Sequence, residues 1–367
     1  METTASCGQR GRPPVSLRPP PRRMETMRAA IFSEHGGPEV LRVAELADPE
    51  PGPGEVRIRV RASSLNHLDL WTRRGLPFAI PLPHVGGSDI AGDVDGVGPG
   101  AEGVPVGIRV VVDPSLHWNW YDGSRRGEKL AALPFQVIGE HRHGGLAEYA
   151  IVPAANLLEL PEGFPFETAA AAGLVFATAW SALLTRGGLQ PGEWVLVTGA
   201  SGGVGTAAVQ LARLVGARVI AVTSGSENAE RLEALGAEAV IDRTRGDFGK
   251  NLREITAPRG VDLILDAVGA PFWKTLIRSL RPGGRIVTVG ATAGPEVTTD
   301  LRHVFWKRLS ILGSTMSSPA DFVSAMNLVF SGDVGPVVDR ILRLESVADG
   351  HRALEDGRVF GKVVVRV

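Results

Sequence analysis

The hydrophobic pattern changes period once along the chain. From residue 28 to about 155, apolar and polar positions alternate in short runs broken by Gly/Pro turns. Residues 55–61, Glu-Val-Arg-Ile-Arg-Val-Arg, put Val56, Ile58 and Val60 on one face and charges on the other, as a half-buried antiparallel strand does. The preceding Asp48-Pro-Glu-Pro-Gly-Pro-Gly54 can continue neither helix nor strand. Residues 109–112 and 147–152 read as further strands, so this half predicts an all-β barrel or sandwich.

After Pro153 the period lengthens. Residues 169–184 are Ala-rich and helical. Strands at 194–198, 218–223, 239–241, 262–266, 285–289 and 309–312 then alternate with helices at 204–215, 227–235 and near 272–280. The strands lack polar alternation, which predicts a parallel sheet covered by helices on both faces, an α/β architecture. The final Lys362-Val-Val-Val-Arg-Val367 reads as a strand that rejoins the first half.

Composition narrows the function classes. A chain of 367 residues suits two domains, and a net charge of −1 gives no global pull toward nucleic acid. The only cysteine, Cys7, excludes an intrachain disulfide and a four-cysteine zinc lobe. No apolar run approaches the roughly 20 residues of a membrane helix, so the expectation is a cytoplasmic protein without a membrane partner. Residues 1–26 carry Arg10, Arg12, Arg18, Arg22 and Arg23 among prolines. They are expected to be a dispensable disordered leader, or sequence upstream of a start at Met24 or Met27.

Between the strand at 194–198 and the helix at 204–215 stands Thr198-Gly199-Ala200-Ser201-Gly202-Gly203-Val204-Gly205. Glycines there let the backbone turn tightly and admit a pyrophosphate to the helix N-terminus, where free N–H groups and the dipole favour anions. A strand–glycine loop–helix order inside a βαβ unit makes Ala200, Ser201, Gly202, Gly203, Val204 and Gly205 candidate dinucleotide contacts. The next strand ends in Thr223 and Ser224, where an NAD site usually has a carboxylate for the ribose hydroxyls. With no charge to repel a 2′-phosphate, and Arg243 within reach of one, NADPH is expected over NADH. A solvated surface arginine is the plain alternative for Arg243.

These residues, together with Arg28-Ala-Ala-Ile-Phe, Gly36-Gly-Pro-Glu-Val-Leu, Asn66-His-Leu-Asp69, Gly144-Gly-Leu-Ala-Glu-Tyr149, Leu280-x-Pro-Gly-Gly284 and Gly361-Lys-Val-Val, resemble the medium-chain dehydrogenase/reductase superfamily. The likeness is to its zinc-free, quinone-oxidoreductase-like branch. It implies a GroES-like β-barrel catalytic domain at 27–155, a doubly wound parallel Rossmann domain at 156–315, and a segment at 316–367 that completes the catalytic domain. Where the zinc-dependent branch has its three ligands, this chain has Asn66, Ser88 and Leu174, and an amide and an alkyl group do not hold a catalytic zinc. Hence no metal site is expected. His67, His84, His141 and His143 could together form an irregular one, but hydrogen-bonded or packed histidines explain such spacing more simply.

The resemblance implies hydride transfer from NADPH to a quinone or an α,β-unsaturated carbonyl without metal. Asn66 is the candidate donor or orienter at the nicotinamide. His67 is a candidate proton donor, or a packed core histidine, and Asp69 a candidate site residue or a loop-holding carboxylate. Thr178, Gly290, Ala291 and Lys362 are candidate cofactor contacts, the last through the phosphates. Trp71, Phe78, Trp118 and Trp120 are candidate pocket walls. An apolar strand at 309–316 would form a sheet edge, and a homodimer is expected across it. Two other readings stay open: an alcohol dehydrogenase with an irregular zinc site, and a redox-silent NADPH-binding protein.

Overall fold

The computed structural model describes residues 25–119 and 134–367. Residues 1–24 of the expected leader and the pocket candidate Trp120 lie outside them. Ten strands build the first half: β1 (Thr26–Phe32), β2 (Arg42–Ala47), β3 (Glu55–Leu65), β4 (His84–Val85), β5 (Asp89–Val97), β6 (Arg109–Val112), β7 (Ser115–Leu116), β8 (Gln136–Val137), β9 (Tyr149–Pro153) and β10 (Leu157–Glu159). Thr26 already pairs with Ala47, so the fold begins just inside the expected leader. The alternation read in β3 is real: Val56, Ile58 and Val60 are buried in a barrel cluster with Ile90, Val94, Val110 and Val152. Among the described residues one α-helix interrupts this β half, α1 (His67–Arg74). It is opened by a capping box between Asn66 and Asp69, the Asn-x-x-Asp spacing that marks a helix start.

The second half opens with α2 (Phe166–Trp180), prolonged by a π-helical turn to Arg186. Here the expectation that no segment suits a membrane span needs correcting. The 21-residue stretch Phe166–Arg186 is long and apolar enough by length and composition, with 78% of its most apolar window buried inside the protein. Its alanines pack between the barrel and the second domain, which accounts for the apolarity without a bilayer.

Six parallel strands follow: β11 (Trp194–Val197), β12 (Arg218–Thr223), β13 (Ala239–Asp242), β14 (Val261–Asp266), β15 (Leu280–Thr288) and β16 (Ser310–Gly313). Between them run α3 (Gly203–Leu214), α4 (Ser226–Leu235), α5 (Phe248–Thr256), α6 (Trp273–Ser279) and α7 (Leu301–Lys307). The sheet order β13-β12-β11-β14-β15-β16 is that of a dinucleotide-binding fold, with its crevice outside the carboxyl ends of β11 and β14. β16 is an edge strand and leaves Ile311 exposed.

Helix α8 (Pro319–Ser331) packs Phe322 and Met326 into the core cluster that contains the α2 alanines. The chain then returns as β17 (Val338–Arg343), α9 (Val347–Glu355) and β18 (Lys362–Arg366). β18 runs antiparallel to β3 and parallel to β17, inside the barrel sheet. The C-terminal strand thus meets β3 beside Asn66, and the first residue of that strand is Lys362.

Candidate active site

The glycine loop shapes one wall. Gly199 turns at φ +59°, and a Cβ on Gly205 would lie 2.4 Å from the Gly199 carbonyl oxygen and 2.5 Å from Ala200 Cα. The helix can dock this closely on the turn only as glycine. No side chain caps α3, whose N-cap is Gly202, so its first-turn N–H groups are available to an anion. Two loop residues expected as contacts are used internally. Ala200 is buried and its N–H donates to the Val222 carbonyl, while the Ser201 carbonyl accepts from Gly361. Those backbone groups hold the loop's shape.

Buried hydroxyls without partners mark where a ligand fits. Thr178 Oγ1 on α2 and Thr223 Oγ1 at the end of β12 are two such atoms, and Ser314 Oγ just past β16 is a third that sequence reading passed over. A buried unpaired hydroxyl is costly, and Thr223 and Ser314 stand at the carboxyl ends of β12 and β16, where the crevice lies. Gly290 and Ala291 directly follow β15 at the same end of the sheet. These observations fit a bound dinucleotide.

The adenosine end holds a finding that sequence reasoning missed. Thr223 stands opposite Asp242 in the β12–β13 register, so a carboxylate lies next to the Thr223–Ser224 turn although the turn itself has none. One oxygen of that carboxylate is engaged: Oδ1 accepts from Gly225 N at 3.2 Å and from Thr244 Oγ1 at 2.7 Å, whereas Oδ2 is buried without a hydrogen-bond partner, with Arg245 3.4 Å away. These bonds hold its pKa below the usual carboxylate range, Thr244 contributing most. Arg243 is exposed, and its backbone N–H caps the Thr223 carbonyl at 2.9 Å.

The opposite wall is the start of α1. Asn66 donates from Nδ2 to Asp89 Oδ2 at 2.8 Å and accepts on Oδ1 from Lys362 Nζ at 2.6 Å. Lys362 was expected to reach the cofactor phosphates. It is instead buried, its ammonium also bonded to the Leu65 carbonyl at 2.9 Å and to Asp89 at 3.1 Å. Both faces of β18 are buried, so strand periodicity carried no hint of which way this lysine points. Asp69 is buried and accepts from Asn66 N at 2.7 Å and Gly87 N at 2.8 Å, which fixes the loop geometry. Desolvation raises its pKa to about 6 against those two bonds.

His67 is not packed in the core: its side chain reaches solvent. Protein nevertheless surrounds much of it, and desolvation, then the Lys362 charge, lowers its pKa. An imidazole that resists protonation is not a store of protons at neutral pH. Glu140, which the sequence pattern does not mark, holds a proton more readily than an ordinary carboxyl. Burial, then the Asp69 charge, raises its carboxyl to about 7. Of the pocket candidates, Phe78 stacks on His141 at 4.7 Å and Trp118 meets Phe135 edge-on at 5.7 Å.

Asn66, Ser88 and Leu174 converge around Asp89. Asn66 binds its Oδ2, the Leu174 N–H binds its Oδ1 at 2.8 Å, and Ser88, the preceding residue, is fully buried with an unpartnered hydroxyl. This amide, hydroxyl and alkyl set does not fit a zinc ion, which takes thiolate, imidazole or carboxylate. Among the described residues no group of three or more His, Cys, Asp or Glu side chains could hold a metal.

Comparison with known proteins agrees with the two-domain fold. The family model of an alcohol dehydrogenase GroES-like domain matches residues 52–162, and that of a zinc-binding dehydrogenase matches residues 203–331. An acryloyl-coenzyme A reductase of Sulfurisphaera tokodaii is 30% identical over 333 residues, covering 90% of this chain and 98% of that protein. The human quinone oxidoreductase is 30% identical over 349 residues, covering 92% and 97%. A crystal structure titled NAD-dependent alcohol dehydrogenase superposes with a TM-score of 0.87 at 46% identity, covering 93% of this chain and all (100%) of that one.

Proposed function

The chain belongs to the medium-chain dehydrogenase/reductase superfamily, as an NAD(P)H-dependent oxidoreductase, and we propose that it is an NADPH-dependent, metal-independent reductase of quinones or α,β-unsaturated carbonyls. The observation that carries this reading is the donor set Asn66, Ser88 and Leu174 gathered around Asp89. Without a Lewis acid an isolated ketone or alcohol is a poor partner for hydride, whereas conjugation spreads the charge that hydride brings. When bound, the reduced cofactor supplies a hydride with its electron pair. In an unsaturated carbonyl that pair enters the β-carbon, the π pair moves onto oxygen, and a proton at the α-carbon completes the product. The protein's own part is to orient the acceptor, donate a hydrogen bond to that oxygen and exclude water. An acceptor panel followed by loss of reduced-nicotinamide absorbance tests the reading, and turnover of simple alcohols alone would overturn it.

A second reading, alcohol dehydrogenation, is favoured by the 46% identical structure titled NAD-dependent alcohol dehydrogenase. Coenzyme preference helps to separate the two. Around the β12 and β13 ends, Arg245 pairs with Asp242 and the exposed Arg243 is left as surplus positive charge, which supports a 2′-phosphate, while the unpartnered Oδ2 of Asp242 favours ribose hydroxyls. Arg243→Ala should weaken NADPH binding and leave NADH unchanged, since losing a charge-assisted hydrogen bond costs about 1.5–3 kcal/mol, or roughly tenfold or more. Equal binding of both coenzymes by the unaltered protein in a calorimetric titration would count against the NADPH assignment.

The exposed edge β16, with Ile311 43%, Phe305 66% and Trp306 83% exposed nearby, supports a homodimer joined edge to edge. Light scattering should give twice the chain mass at micromolar concentration. A monomer there would contradict this.

A further inference from the structure

The carboxamide of Asn66 is held from both ends by opposite charges. Its Nδ2 donates to Asp89 Oδ2 at 2.8 Å, and its Oδ1 accepts from Lys362 Nζ at 2.6 Å. The reverse amide orientation would set an NH2 against an ammonium and a carbonyl against a carboxylate, so the flip state is fixed by charge. Lys362 gives its other two N–H groups to the Leu65 carbonyl and to Asp89, which leaves the ammonium nothing for a ligand. Asp89 is filled as well, by Leu174 N on Oδ1 and by Ser64 Oγ, 2.7 Å from Oδ2. These groups come from β3, the start of α1, β5, α2 and β18, and all are buried. Among the described residues, a count of their hydrogens finds one without an assigned acceptor, the second Nδ2 proton of Asn66.

We propose that Asp89 and Lys362 are positioning residues that lock the Asn66 amide, so that its remaining N–H meets the acceptor oxygen of the substrate as charge develops there. This rests on the reading of the substrate as a conjugated carbonyl. Neither Asp89 nor Lys362 touches the reacting atoms. A preorganised donor is worth more than a mobile one because no reorientation is spent during reaction. The Lys362 segment also abuts the dinucleotide loop: Gly361 N donates to the Ser201 carbonyl at 2.8 Å, and a Cβ on Gly203 would lie 2.7 Å from Lys362 Cδ. One short stretch therefore ties the loop to the orientation of Asn66.

The test uses the full chain with two independent readouts. With isotope-labelled asparagine, the Asn66 side-chain amide signals, assigned by their loss in Asn66→Ala, should be two resolved and slowly exchanging protons. Lys362→Met and Asp89→Asn should collapse or broaden them, while Lys362→Gln, which keeps a donor for Oδ1, should preserve them in part. In turnover, Asn66→Ala should lower kcat by roughly a hundredfold, and Lys362→Met by between tenfold and a hundredfold (order of magnitude). The double variant should be no worse than Asn66→Ala, because the lysine acts through the asparagine. Multiplying effects, or an unchanged amide signal in Lys362→Met with weakened cofactor binding, would overturn the proposal and return Lys362 to the phosphates. The amide readout needs no substrate, so a failure of the conjugated-carbonyl reading appears separately, as absent turnover by the unaltered protein with an intact amide lock.

Discussion

Gly205→Ala should strongly weaken dinucleotide binding and lower the melting temperature, whereas Gly202→Ala should leave folding intact and weaken only cofactor binding. The two glycines sit in one loop for different reasons. A Cβ at 205 would meet backbone atoms of Gly199 and Ala200 at 2.4–2.7 Å, and backbone cannot swing aside as a side chain can. Helix α3 would have to back away from the turn, carrying its N–H groups off the pyrophosphate position. Nothing inside the protein demands glycine at 202: its φ is −79°, and the nearest atom to an added Cβ is 3.5 Å away. The methyl there would intrude only on a ligand close to the loop, as the glycine of a pyrophosphate cradle implies. For Gly205→Ala the expected affinity loss is about a hundredfold or more, near 3 kcal/mol. Gly103→Ala, where an added Cβ meets nothing within 4 Å, is the control. Retained affinity in Gly205→Ala, with thermal melting unchanged, would show that the loop does not cradle the cofactor.

The loop was legible because steric and periodic signals coincide there: a fully apolar β11, a glycine cluster, then an amphipathic α3. The barrel was legible from β3, as far as Arg61. Past that point Ala62, Ser63, Ser64 and Leu65 are all buried, because β5 and β18 flank the strand while α2 covers it, and alternation no longer reports direction. The wall that carries Asn66 lies just where that signal ends. Helix α1 hid within a β pattern, though its Asn66–Asp69 capping box was readable. Nothing in the sequence marked Asp89, since only the fold brings Ser64, Asn66, Leu174 and Lys362 to its two oxygens. Asp242 was missed for a related reason: its neighbour Thr223 is 19 residues away in sequence and opposite it in the sheet.

Purified protein should contain well under one zinc per chain, and chelator treatment should leave NADPH–quinone or NADPH–enone reduction unchanged. Three changed positions make the case together. A water or a neighbouring side chain could replace one lost donor, but an amide, a hydroxyl and an alkyl group leave too few to compete with bulk water for the ion. Nor can Asp89 readily step in. Its two oxygens already accept from Leu174 N, Asn66 Nδ2, Lys362 Nζ and Ser64 Oγ, and a metal there would strip those bonds and face a buried ammonium 3.1 Å from the same oxygen. His84 is fully buried with Nε2 on the Gly139 carbonyl at 3.1 Å and its Nδ1 without a partner, but among the described residues no group of three or more His, Cys, Asp or Glu side chains could join it on an ion. Simple alcohols should accordingly be poor substrates. Oxidation begins by removing the hydroxyl proton, and a bound metal is what lowers such a pKa by several units. Conjugated acceptors skip that step, because hydride arrives first and the charge spreads onto oxygen. Elemental analysis beside an activity assay decides the matter: stoichiometric zinc, or activity lost on chelation and restored by Zn²⁺, would overturn metal independence and require Asp89, His67 or His84 to rearrange as ligands.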